Sequence, residues 1–138
     1  MDQILGFLPG VHALIRWFIL SLGVVGAARS FVSMLSVSAK FTRLDIGLCR
    51  AYSMLLDMQG LFGVLLLLAA LTTQQPLTTL QWLHPLIMLP AIIVGHLYRR
   101  FQSQPDRARH QAQLGIFVGS LVLVAIGLAI INELYLPM

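Results

Sequence analysis

The amino-acid sequence predicts an all-α integral membrane protein, a bundle of four transmembrane helices in a single domain that covers residues 1–138. Of the 138 residues, 58% are hydrophobic and 10% are charged, whereas a soluble domain carries about 25% charged residues. The apolar runs reach the roughly 20 residues that a helix needs to cross a bilayer. The length allows four such passes and leaves no room for a soluble domain.

The four helices are predicted at about 10–35, 46–72, 81–100 and 111–134, each bounded by polar or turn-forming residues. Pro9 precedes the first helix, at a position that favours proline. The first ten residues contain no Lys or Arg, so they lack the basic region of a cleavable signal peptide. We therefore expect the first helix to be retained. His110 is predicted to lie in the loop before the last helix.

The distribution of basic residues predicts the orientation. Eight of the nine Lys and Arg residues flank the first and third loops: Arg29, Lys40, Arg43, Arg50, Arg99, Arg100, Arg107 and Arg109. The positive-inside rule then places both loops in the cytoplasm and both termini outside, as in a multi-pass protein of the inner (cytoplasmic) membrane. The positions of the basic residues therefore predict that the net charge of +4 interacts with the lipid bilayer and not with nucleic acid.

Ionisable residues inside membrane spans are costly and usually mark function. His12 and His84 fall at similar depth near the outer ends of helices one and three. Facing helices supply the ligands for cofactors in helical bundles, so the pair predicts the two iron ligands of a haem. Arg16, one turn below His12, is the candidate partner of a propionate, and Met88 is a possible replacement ligand. The alternatives are hydrated interfacial histidines and an arginine that snorkels to the headgroups.

A second polar level is predicted deeper in the membrane. The helix rise of about 1.5 Å per residue places Asp57 and His96 both roughly 22 Å below the outer surface. Gln59 is expected close to the same level. A bare carboxylate at this depth has to be protonated or paired. The three residues therefore predict a proton-handling or quinone site, with a structural hydrogen-bonded pair as the alternative.

Three short motifs resemble a known family. The segments are Val11-His12-Ala13-Leu14-Ile15-Arg16-Trp17, then Phe41-Thr42-Arg43-Leu44-Asp45 with Leu56-Asp57-Met58-Gln59, and finally the set His84, Met88, His96 and Arg99. They are similar to the LHxxLRW, FTxLD…LDxQ and EHxxMM…HxGR patterns of small bacterial four-helix membrane proteins labelled cytochrome b-like. The resemblance implies a b-type haem protein with His12 and His84 as ligands. Leu83 departs from the family, which usually has Glu there.

A more distant likeness is to the haem-containing protoporphyrinogen oxidases of bacteria. Trp82-Leu83-His84 and the segment from Gly95-His96 to Arg100-Phe101 are similar to their third helix. Those enzymes carry a Lys two residues after the first His, where this chain has Leu86. Whether the chain is an enzyme is therefore left open.

The leading functional prediction is a haem-binding electron-transfer protein that acts as a subunit or partner of a larger membrane redox system. One alternative is a cofactor-free structural subunit of a membrane complex. Another is a small proton or ion transporter, which would need to oligomerise to enclose a pathway. The Gly115-x-x-x-Gly119 pattern permits close helix packing, inside the bundle or in a homo-oligomer. The single cysteine, Cys49, is expected to serve packing alone.

Overall fold

A computed structural model describes residues 2–36, 38–72 and 76–135, with side chains described only between residues 6 and 131. All regular structure in these ranges is helical. The elements are α1 (Asp2–Leu35), α2 (Arg43–Leu71), α3 (Thr79–His96), a short 3-10 helix (Leu97–Phe101) and α4 (Asp106–Tyr135). In the described part of the chain, four helical segments are long and apolar enough to cross a membrane. The predicted fold class, an all-α four-helix membrane bundle, is confirmed.

The helices extend beyond the apolar runs that predicted them. Helix α1 begins at Asp2, so Pro9 lies inside the helix and not at its start. Helix α4 begins at Asp106, so His110 is helical and not in a loop. The apolar run marks the part of a helix inside the hydrocarbon, whereas the helix itself continues into the polar headgroup layer. Both predicted starts were therefore wrong.

The four helices form a square ring. Both α1 and α3 pack against α2 and α4, so α1 and α3 occupy opposite corners. We call the end with the α1–α2 and α3–α4 connections the basic end, and the opposite end, where α1 starts and α4 finishes, the terminal end. Tyr52, Leu56 and Phe117 are fully buried in the core, and Cys49 is buried there too, as predicted. Large apolar residues such as Trp17 and Leu86 cover the outside, as expected for a surface in contact with lipid.

Glycines allow the helices to approach closely at several points. A Cβ atom at Gly26 would overlap the ring of Phe117, and one at Gly23 would lie 2.7 Å from Leu121 Cδ2. The space beside Gly115 is open, since no atom lies within 4 Å of a Cβ built there. Gly115 therefore makes no close helix contact inside the bundle, and the role of the GxxxG pattern in a homo-oligomer stays a prediction.

An ion pair joins α1 to the start of α2 at the basic end. Arg29 Nε donates to Asp45 Oδ1 at 2.6 Å, and the backbone N–H of Thr42 donates to Asp45 Oδ2 at 2.7 Å. Asp45 is fully buried, whereas the Arg29 side chain is 35% exposed. The carboxylate therefore caps the N-terminus of α2 and fixes it against α1.

Candidate functional site

His12 on α1 contacts Gln59 on α2 near the terminal end. The Gln59 side-chain nitrogen donates to His12 Nε2 at 2.9 Å. Because an amide nitrogen only donates, this His12 nitrogen accepts, and the ring proton is on Nδ1. His12 Nδ1 and Gln59 Oε1 are both buried, and neither has a hydrogen-bond partner among the described residues. The pair therefore keeps one spare donor and one spare acceptor.

His84 on α3 is oriented by α4. Its Nδ1 lies 3.0 Å from the carbonyl oxygen of Gly127 and donates to it, which leaves Nε2 unprotonated. A Cβ at Gly127 would lie 2.7 Å from Met88 Sδ and 3.4 Å from His84 Nδ1. The glycine therefore provides the space in which both side chains lie. A ring N–H bonded to a backbone carbonyl is also the usual arrangement of a metal-ligating histidine.

The predicted ligand pair is on opposite corners of the ring. His12 and His84 belong to α1 and α3, which are not neighbours, and both imidazoles are partly buried. His84 and Arg16 both act electrostatically on His12, and Arg16 acts on His84 as well. The structure thus brings the three predicted residues into one region. We call His12, Gln59, His84, Met88 and Gly127 the His12 cluster.

Arg16 lies at the edge of the His12 cluster. It is partly buried, and its guanidinium carbon is 5.8 Å from the centre of the Trp17 ring. Trp17 is itself 61% exposed. The arginine therefore lies between the interior, where it is in electrostatic range of both histidines, and the lipid-facing surface.

Asp57 and His96 come together, as predicted from their depths. His96 Nε2 lies 3.3 Å from Asp57 Oδ2, and His96 Nδ1 donates to the Ile92 carbonyl at 3.0 Å. Because Nδ1 already carries a proton, Nε2 can bond the carboxyl group only if a second proton is present on one of the two. The contact is therefore an ion pair only when His96 carries that second proton.

Gln59 is not part of this deeper pair. Two residues along a helix correspond to a rotation of roughly 200°, so Gln59 and Asp57 point in nearly opposite directions. Gln59 is 7% exposed and faces His12, whereas the Asp57 side chain is 53% exposed on the outer surface of the bundle. Their similar depths predicted that Asp57, Gln59 and His96 form one group. The rotation of α2 about its axis instead turns Gln59 away from the other two.

Two polar features of the basic end were not predicted. The Arg29–Asp45 ion pair is one, although Thr42-x-x-Asp45 has the spacing of a helix-capping box and could have indicated it. The other is His110, which is 1% exposed and packs against Phe41 with the rings tilted and their centres 5.0 Å apart. Neither ring nitrogen of His110 has a partner among the described residues. No sequence signal distinguishes a buried His110 from one in a loop.

The role of His12 and His84 as haem ligands stays a prediction, and the groups around them bear on it. Within the described ranges, no three His, Cys, Asp or Glu side chains come together as a site for a bare metal ion. A haem brings four nitrogens of its own and needs only axial ligands. His12 and His84 each have an Nε2 atom without a proton, but Gln59 donates to that of His12, and Met88 and His84 fill the space beside Gly127. The donor types of the His12 cluster are those that a haem uses, and Gln59 would have to leave His12 Nε2 for iron to bind there.

Comparison with other proteins adds no relative. No protein-family model matches the chain, and neither a curated protein nor a solved structure is significantly similar to it.

Proposed function

We propose that the protein binds haem b between His12 and His84 and transfers electrons in a membrane redox system. The observation that carries the proposal is that two imidazoles on opposite corners of the bundle each keep an unprotonated Nε2. Haem b supplies a one-electron redox centre. The residues of this chain would hold the haem and orient it.

The roles follow from the contacts. The Gly127 carbonyl fixes the tautomer and orientation of His84. Gln59 binds the lone pair of His12 Nε2 when no other ligand does, so it competes with a metal for that nitrogen. Arg16 is the partner for a propionate, since guanidinium pairs well with carboxylate. Met88, one turn after His84 and beside it at Gly127, is the possible replacement ligand on the His84 side.

The proposed setting is the inner membrane, with the basic end in the cytoplasm. An electron carrier of this size needs a donor and an acceptor, so other membrane redox subunits are the expected partners. Self-association into a homo-oligomer is compatible with this function, because large apolar side chains remain exposed over the whole surface.

The test is the visible absorption spectrum of the protein purified after expression with adequate haem. We expect a Soret band and sharp reduced α and β bands, as for iron with two axial imidazoles. His84→Ala and His12→Ala should each abolish or broaden the reduced bands, while His96→Ala and His110→Ala should preserve them as matched histidine controls. A colourless wild-type protein would exclude haem, and bands that persist in both ligand variants would exclude this ligand pair.

A second candidate function belongs to Asp57 and His96. Their 3.3 Å contact on the outer surface supports proton exchange, either with a reduced quinone that arrives through the lipid or along a relay in an oligomeric transporter. Asp57→Asn removes the acid but keeps the size of the side chain. We expect it to slow quinol oxidation by the haem-loaded protein without changing the spectrum, and to abolish proton flux in liposomes if the relay operates. Unchanged rates in both assays would exclude this candidate.

A further inference from the structure

A cleft opens on the side of the bundle near the basic end, between α2 and the α3 segment with its 3-10 helix. Its volume is about 220 Å³. The lining residues are Arg50, Ser53, Met54, Asp57, His96, Tyr98 and Arg99. Met54 is 64% exposed, so the outer wall of the cleft faces the lipid. The cleft therefore joins a polar interior to the hydrocarbon around the protein.

The cleft has a surplus of positive charge. Arg50 comes from α2 and Arg99 from the 3-10 helix, and neither forms an ion pair with a carboxylate in the described part of the chain. Asp57, the acidic residue of the lining, already has His96 as its partner at 3.3 Å. The lining thus carries two guanidinium groups against one carboxylate, which leaves a surplus of positive charge.

The level of the cleft suits a lipid headgroup. Arg50 is seven residues into α2, about 10 Å from its basic end, and a long arginine side chain extends from that depth towards the headgroups. Arg99 lies beyond the last turn of α3. Basic pockets between transmembrane helices on the cytoplasmic side are suited to anionic lipid headgroups, and guanidinium groups pair with phosphate in a bidentate manner.

From this arrangement we infer that the cleft binds an anionic glycerophospholipid, with its phosphate between Arg50 and Arg99 and an acyl chain along Met54. The ligand chemistry is a phosphate monoanion attached to an apolar chain. The site does not depend on haem, because none of its lining residues belongs to the His12 cluster. If the cleft binds no lipid, the haem proposal still stands. If the protein binds no haem, the lipid proposal still stands.

The test measures lipid binding to the delipidated protein in neutral detergent, by native mass spectrometry with phosphatidylglycerol and phosphatidylcholine in parallel. The variant R50Q/R99Q removes both guanidinium groups, whereas R43Q/R100Q removes the same charge from two exposed arginines of the same end that do not line the cleft. We expect R50Q/R99Q to weaken phosphatidylglycerol binding about thirtyfold. The control should bind within about twofold of the wild type, because screened surface charges away from a site contribute little.

Three outcomes would overturn the inference. They are equal binding of phosphatidylcholine, equal loss in R43Q/R100Q, and competition by inorganic phosphate at concentrations as low as those of the lipid, which would show that the acyl chain contributes nothing. Far-UV circular dichroism and a melting curve for each variant separate lost binding from lost folding.

Asp57→Asn distinguishes this ligand from a quinone. The substitution removes a negative charge next to the bound phosphate, so phosphatidylglycerol should bind as tightly as to the wild type or tighter. A site that uses Asp57 as an acid for its ligand would instead lose affinity. Weaker phosphatidylglycerol binding in Asp57→Asn would overturn the inference.

Discussion

One set of buried polar side chains towards the basic end is fully hydrogen-bonded, whereas the His12 cluster towards the terminal end keeps an unused donor and an unused acceptor. Outside that set, His110 and Gln113 at the basic end also have buried atoms without a partner among the described residues. We call Arg29, Ser30, Asp45, Tyr52 and Ser120 the basic-half network. Tyr52 Oη and Ser120 Oγ lie 2.8 Å apart, and Ser30 Oγ donates to the Gly26 carbonyl at 2.7 Å. In the His12 cluster, His12 Nδ1 and Gln59 Oε1 have no partner among the described residues.

The difference separates groups that specify the fold from groups that are available to a ligand. A satisfied buried network rigidifies a structure and selects one arrangement of its helices. A buried polar atom without a partner costs about 1–3 kcal/mol, so it reduces stability unless something else binds it. The spare atoms of the His12 cluster are therefore one of the reasons for which we propose a ligand there and not in the basic-half network.

The largest effect is expected from Arg29→Met, which leaves the carboxylate of the fully buried Asp45 without its cation. Breaking a buried ion pair costs about 3–5 kcal/mol, and the partial exposure of Arg29 favours the lower end of that range. We expect the free energy of unfolding to fall by about 3 kcal/mol, measured by SDS titration in mixed micelles with circular dichroism. Arg43→Met, on an exposed arginine nearby, is the matched control. A loss equal to that of the control would show that the network does not hold α1 to α2.

Gly26→Ala tests how tightly the helices pack in the basic half. The new methyl group would overlap the Phe117 ring, and that ring already contacts Tyr52 with centres 4.9 Å apart, so it has no space to move into. Overpacking of this kind costs about 2 kcal/mol. Gly10→Ala on the same helix has no atom within 4 Å of the new Cβ and should be neutral in the same titration. Equal behaviour of the two variants would contradict a rigid basic half.

Gly127→Ala is the equivalent change in the His12 cluster, and we expect a smaller loss of about 1 kcal/mol. The methyl group would approach Met88 Sδ at 2.7 Å, but a methionine side chain is flexible and can move away. Gly115→Ala, with open space beside it, is the matched control on α4. Gly127→Ala should also bind less haem than Gly115→Ala, because the new Cβ lies 3.4 Å from His84 Nδ1. A loss of stability as large as that of Gly26→Ala would remove the contrast between the two regions.

The smallest change in stability is expected from Gln59→Leu. It removes the hydrogen bond to His12, which in membrane proteins contributes about 0.6 kcal/mol on average, and leaves His12 Nε2 without that partner. It also removes the unpartnered Gln59 Oε1, which acts in the opposite direction. The two effects should cancel to within about 0.5 kcal/mol. Haem retention during dilution should be unchanged or improved, because Gln59 no longer competes for His12 Nε2. Weaker retention would show that Gln59 supports the ligand instead.

The sequence by itself determined the four helices and the levels of their polar residues. Apolar length is a local property, and the helix rise is fixed, so the meeting of Asp57 with His96 followed from counting residues. Helix ends were less accurate, because Asp2 and Asp106 begin helices outside the apolar runs. Hydropathy reports the hydrocarbon layer and not the full length of a helix.

Only the tertiary structure decided which residues share a partner. The rotation of α2 directs Gln59 to His12 and Asp57 to His96, and packing of α1 on α2 joins Arg29 to Asp45 across 16 residues. Helix rotation is set by the interlocking of side chains such as Tyr52 and Phe117 on diagonal helices. This interlocking depends on all the helices at once, so it cannot be predicted from any single segment of the sequence.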